Sequence, residues 1–235
     1  MRAHHWRNQL ISQALGGDYL TLSVSKISLT ESLLAEFLTD IEGHLPESGS
    51  RDQDDLDRNE PSPCTVELTL HILQGEADDL KMTQAPAFNL RGEGVGFIDA
   101  SFEALVTYFE GEYPSLRSIR FASFEVKGEL DDASRAGADA LCSARLIIEN
   151  SERAPFEFEA SQPSMASVSL DVVVQALEHF INAERAFIRI YRALDDAKGR
   201  GRHDLIESYT SQLSELVKTT SYTESIAQLR SQVNI

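Results

Sequence analysis

Arg91-Gly92-Glu93-Gly94-Val95-Gly96-Phe97-Ile98-Asp99-Ala100 is the stretch on which the reading of the chain turns. Three glycines alternate, and an apolar pattern with helical spacing follows through Phe102, Leu105, Val106 and Phe109. Glycines just ahead of a helix predict a tight turn, where positive φ and close backbone approach are tolerated. Gly111 and Pro114 end the helix. Asp99 stands in its first turn, where a carboxylate meets the positive end of the helix dipole. That makes it either a cap or a partner for a ligand ammonium group. The glycine spacing is not the dinucleotide fingerprint, whose third glycine comes later and whose setting is a parallel strand-helix-strand unit. Only Arg91 lies near enough to help with a phosphate. The segment therefore reads as a structural turn, or as a contact to a small ligand or a subunit through backbone N–H groups at the helix start.

Upstream, Cys64 to Leu73 alternates, with Val66, Leu68, Leu70 and Ile72 on one face, Thr65, Glu67, Thr69 and a solvent-facing His71 on the other. Tyr19 to Ser25 alternates too, and Leu80 to Leu90 is a weaker strand interrupted by Pro86. Between the first two, Ser28 or Thr30 is expected to cap a helix over Glu31 to Glu42, with Leu33, Leu34, Phe37, Leu38 and Ile41 apolar. Met1 to Leu15 predicts another helix, with Trp6, Leu10, Ile11 and Leu15 on one side, stopped by Gly16-Gly17.

Downstream the order repeats. Ile119 to Val126, Ala138 to Asn150 and Ala154 to Ala160 are expected strands. A serine-rich turn, Ser161 to Ser169, leads into a long helix from about Leu170 to Asp196, with Asp171 opening it as Asp99 opens the first. Two strand-strand-strand-helix units imply an internal pseudo-twofold and an α+β fold with helices on one face of the strands. Lys198 to Arg202 breaks the long helix; His203 to Lys218 and Tyr222 to Gln232 follow as helices, the first with a packing stripe of Leu205, Ile206, Tyr209, Leu213 and Leu216. The expected organisation is an N-terminal helix over 1–18, an α+β core over 19–185 and a helical extension over 186–235.

The 235 residues carry a net charge of −17, unevenly placed. Residues 40–60 hold eight acids and two bases, 64–182 twenty and eight, and 183–235 seven and eight. The segment 46–63 is acidic and turn-rich, with one large apolar residue, and is expected to form a disordered loop. Asp52, Asp54 and Asp55 lack the glycine and glutamate offsets of a calcium loop. Such acidity argues against nucleic-acid binding and against a basic membrane-surface helix. No apolar run approaches the roughly 18 residues of a membrane span, and the N-terminus has no signal-peptide pattern. Cys64 and Cys142, far apart, read as small buried residues in a reducing cytoplasm. There is no nucleophile motif and no metal spacing, the six histidines are scattered, and His179 reads as a helix residue packed beside Phe180. No cofactor is expected.

Several short motifs then fall in one order. Gly92 to Ala100 is followed by Tyr113-Pro114, Ile119-Arg120-Phe121 and Phe124-Glu125-Val126. Next come Ala138-Asp139-Ala140, Ile147-Ile148-Glu149, and Val168-Ser169-Leu170-Asp171-Val172-Val173 running to Asn182-Ala183. Over about 65–185 this order resembles the C-terminal regulatory (allosteric, dimerisation) domain of 2-isopropylmalate synthase and citramalate synthase. The resemblance implies two strand-strand-strand-helix units, a homodimer, and binding of a branched-chain amino acid, leucine or isoleucine, that modulates a barrel synthase of leucine biosynthesis. Carried over by position, the ligand-binding residues would be Gly92, Gly94, Asp99, Ala100, Ser167, Ser169 and Asp171. The catalytic barrel of about 250 residues and the metal-binding His-x-His of those synthases are missing, so no enzymatic activity is expected. The other reading is a structural dimerisation or adaptor protein that has lost the ligand.

Overall fold

A computed structural model describes residues 2–31, 64–74, 86–128 and 141–233. The acidic loop 46–63, the body of the helix expected to end at Glu42, and the starts of the strands expected at Leu80 and Ala138 lie outside the described residues.

The elements are α1 (Arg2–Leu15), β1 (Leu20–Glu31), β2 (Cys64–Gln74), β3 (Ala87–Gly94), α2 (Phe97–Phe109), β4 (Arg120–Gly128), β5 (Cys142–Glu149), β6 (Pro155–Gln162), α3 (Met165–Gly199), α4 (His203–Leu216) and α5 (Thr223–Val233). The strands form two antiparallel sheets in the orders β1-β2-β3 and β4-β5-β6. The fold is α+β, with two strand-strand-strand-helix units in succession. The repetition extends to detail. Cys64 opens the middle strand of the first sheet opposite Gly94, and Cys142 opens the middle strand of the second opposite Gln162. Both cysteines are buried, as their apolar neighbours require.

Alternation sets which face each sheet hides. Val66, Leu68 and Leu70 of β2, with Leu105 of α2, share one core with Leu146 and Ile148 of β5, Phe156 of β6, and Leu177 and Phe180 of α3. The opposite sheet faces are polar. His71 is half-buried there, its ring nitrogen 2.9 Å from Ser25 Oγ. A second core lies around the far half of α3, where Ala183, Ala186, Phe187 and Ile190 meet Leu10, Ile11 and Leu15 of α1, Leu216 and Tyr222. The 35 residues of α3 reach about 52 Å at 1.5 Å per residue, long enough to serve both cores. Gly201, with φ +67°, turns the chain out of α3, and Gly16, with φ +53°, turns it out of α1.

Several expectations are corrected. Trp6 is 47% exposed, so the buried side of α1 is Leu10, Ile11 and Leu15. Among the described residues Ser28 and Thr30 belong not to a helix start but to β1, which continues to Glu31 past a bulge at Val24 to Lys26. Antiparallel pairing with β2 outweighs their local capping preference. The glycine segment is mainly strand: Gly92 and Gly94 pair with Val66 and Cys64, and only Val95-Gly96 bends. The serine-rich segment turns only at Pro163-Ser164, between the end of β6 and the start of α3. Helix α3 begins at Met165, where Ser164 Oγ accepts from the Ser167 N–H at 3.3 Å, so Ser167 and Ser169 are helical. The α4 stripe does pack as expected: Leu216 is fully buried, and Tyr209 and Leu213 are partly buried against the second core.

Candidate functional site

The residues singled out from the sequence lie at two strand-helix junctions. At the first, α2 rests directly on β3. A Cβ placed on Gly92 would lie 2.0 Å from the Ala100 carbonyl oxygen and 2.7 Å from Ala104 Cβ. One placed on Gly94 would lie 2.6 Å from both Ala100 N and Asp99 Oδ2. Ala100 and Ala104, one helical turn apart, present the small surface that allows this approach. The glycines are therefore needed for close contact and not for positive φ, which neither adopts. Asp99 Oδ2 accepts from the Val95 N–H at 3.0 Å. Its carboxylate thereby ties down a backbone donor just ahead of the helix.

The second junction is built differently. Asp171 does not open α3; it is the seventh residue, one turn further in than Asp99 is in α2. Its Oδ2 accepts from Gln162 Nε2 at 2.9 Å, so the acid braces the end of β6. Ser169 is buried and Ser167 half-buried. Gly92, Gly94, Asp99 and Ala100 are thus brought together in one packed contact. Ser167, Ser169 and Asp171 lie on a different element, α3.

A third cluster joins the halves, and sequence reasoning missed it. Asn182, fully buried, accepts from the Leu20 N–H at 2.9 Å and donates to the Leu20 carbonyl at 2.8 Å. One turn earlier Glu178 accepts from the Leu22 N–H at 2.6 Å. Together they occupy hydrogen-bonding groups on the outer edge of β1, which would otherwise be an open sheet edge. Burial, with help from the nearby Asp171 charge, pushes the Glu178 carboxyl up to about 7, against the pull of the Leu22 N–H. The available signal is Glu178 and Asn182, four apart, in the largely apolar stretch Val172 to Ala183, which also holds Gln175 and His179. Glu184, also buried, accepts from the Ser115 N–H at 3.1 Å, and burial raises its carboxyl above the usual range. Asn150 holds the C-terminal helices: it donates to the Lys218 and Thr219 carbonyls and accepts from the Glu152 and Ala154 N–H groups.

Three surface clefts accompany these elements. One of about 540 Å³ lies on the polar face of the second sheet around Arg145, whose guanidinium pairs with Glu157. One of about 410 Å³ lies on the polar face of the first, around Lys26, Glu67 and Arg91. The third, of about 620 Å³, lies between the ends of α1 and α2, the second half of α3, and α5. None of the three is lined by any of the seven residues assigned by position. Among the described residues, no three His, Cys, Asp or Glu side chains are placed to hold a metal ion, and no helix is long and apolar enough to cross a membrane.

No protein-family model matches the chain, and no curated protein matches it either.

Proposed function

We propose that the chain is a non-catalytic regulatory module that works as a homodimer, senses leucine or isoleucine in the cytoplasm and modulates a partner biosynthetic enzyme. The observation that supports this most is the doubled strand-strand-strand-helix unit, with its first helix seated on Gly92 and Gly94 where the sequence resemblance lies. All described strand pairs are antiparallel, which differs from the parallel strands of a catalytic barrel. A ligand that binds the native state must raise its melting temperature. Leucine or isoleucine at millimolar concentration is expected to do so, and no shift with leucine, isoleucine or valine would sink the sensing reading.

One observation favours a second reading, a structural dimerisation or adaptor protein without a ligand. The space beside Gly92 and Gly94 is already filled by α2. Such a protein would still dimerise, while its melting temperature would ignore all three amino acids.

A further inference from the structure

The largest of the three clefts has a lining unlike the rest of this acidic protein. Arg185, Arg189 and Arg192 line it from α3, Asp18 and Glu112 from the opposite wall, and Leu15, Ile188 and Leu229 supply apolar surface. The spacing i, i+4, i+7 puts the three arginines on one stripe of the helix. The middle one is occupied: Arg189 donates to the Leu15 carbonyl at 3.1 Å and pairs with Asp18 at 2.7 Å. Neither Arg185 nor Arg192 has an ion pair among the described residues. Glu112 is engaged as well, accepting from the Tyr113 hydroxyl at 2.8 Å. The chain has 38 acids for 21 bases. The lining thus holds three arginines to two carboxylates, the reverse of the balance in the chain as a whole. Arginine favours planar carboxylates through paired N–H donors. The apolar wall adds a surface that a bare inorganic anion would not use.

We propose that this cleft binds a small organic carboxylate with an apolar body, the carboxylate on Arg185 and Arg192 and the body against Leu15, Ile188 and Leu229. The inference stands on the cleft's own lining; the amino acid named above is one member of the class.

The test is calorimetric titration of the full chain with isovalerate, acetate and leucine at matched ionic strength. It is repeated on Arg185→Ala, Arg192→Ala and, as a control on a distant strand, Arg120→Ala. Isovalerate is expected to give saturable heat and to bind roughly tenfold tighter than acetate, since its extra apolar carbons would lie partly buried against the apolar wall. Each cleft variant is expected to weaken it roughly tenfold, as for loss of a hydrogen bond to a charged group, and Arg120→Ala to leave it unchanged. Absence of saturable heat from isovalerate, equal binding of acetate, or an equal loss in Arg120→Ala would each overturn the proposal. If leucine binds but ignores both cleft variants and isovalerate does not bind, the cleft inference falls and amino-acid sensing survives. If isovalerate binds as expected and leucine does not, the cleft stands and amino-acid sensing falls.

Discussion

Gly92 carries a helix on its back. Its missing side chain lets the Ala100 carbonyl and Ala104 lie where a Cβ would be, and both obstacles include backbone that cannot swing aside. Gly92→Ala is therefore expected to cost about 3 kcal/mol, the upper range for overpacking a fitted contact. Gly111→Ala, where the same methyl meets open space, is expected to stay within about 0.5 kcal/mol. Urea unfolding midpoints of the two variants check the contrast. The importance of Gly92 and Gly94 was legible in the sequence, but the physical reason was not. Alternating glycines announce either a turn or a close approach, and only the position of α2 decides between them. Glu178 gives a second prediction at this scale. Its carboxyl is raised from 4.5 to about 7 in the folded chain, so folding takes up a proton between those values. The native state then holds more protons than the unfolded one, and stability falls as pH rises through this window. The loss from this group is complete above about pH 7 and amounts to at most about 3 kcal/mol. Glu178→Gln keeps an oxygen for the Leu22 N–H and removes the charge. The variant should gain on the wild type between pH 5 and pH 8, as read by unfolding at both values. A variant that tracks the wild type across that range would show that Glu178 does not titrate there.

Helix α3 is the element on which the molecule is assembled. Its first half covers the β4-β5-β6 sheet and reaches β1; its second half gathers α1, α4 and α5. The apolar spacing makes its existence plain but places its start at Leu170, five residues after Met165, where it begins. Ser164, Ser167 and Ser169 look alike in sequence, and only one of them can be the cap; serine favours both caps and turns. Strand β1 was cut short for the same reason, because Ser28 and Thr30 read as caps until β2 is seen opposite them. The C-terminal helices were legible from their stripes, but not what ties them down. Beside the packing of Leu216 and Tyr222 and the Arg117–Glu224 pair, that includes Asn150, a single buried side chain with four backbone partners. Asn150→Ala would strip the Lys218 and Thr219 carbonyls and the Glu152 and Ala154 N–H groups of these bonds. The expected cost is about 3 kcal/mol, as for buried polar groups left unpaired. Hydrogen exchange should show faster amide exchange in α4 and α5 and little change in β2. Uniform acceleration throughout the chain would mean that Asn150 supports the whole fold and not the extension alone.

The doubled unit is what the whole molecule has to offer a partner. Both sheets turn a helix-covered face inward and a polar face outward, and the outer face of the second carries the Arg145 pair with Glu157. The α+β class and the repetition followed from the order of strand and helix patterns, which depends on local periodicity. How the halves are joined did not, because the Asn182 and Glu178 bonds to β1 span more than 150 residues. The seven positions assigned by resemblance show the same division. Four meet at the β3–α2 contact and three stand on α3, where the late start assigned to that helix had misplaced them. The charge asymmetry also has a location: the nearly neutral C-terminal part supplies the arginines of the 620 Å³ cleft. The central claim is a module that acts as a pair. Its most direct test is the molar mass of the full chain by light scattering at micromolar concentration. The account predicts twice the 26.1 kDa of one chain. A mass of 26.1 kDa across the micromolar range would contradict it.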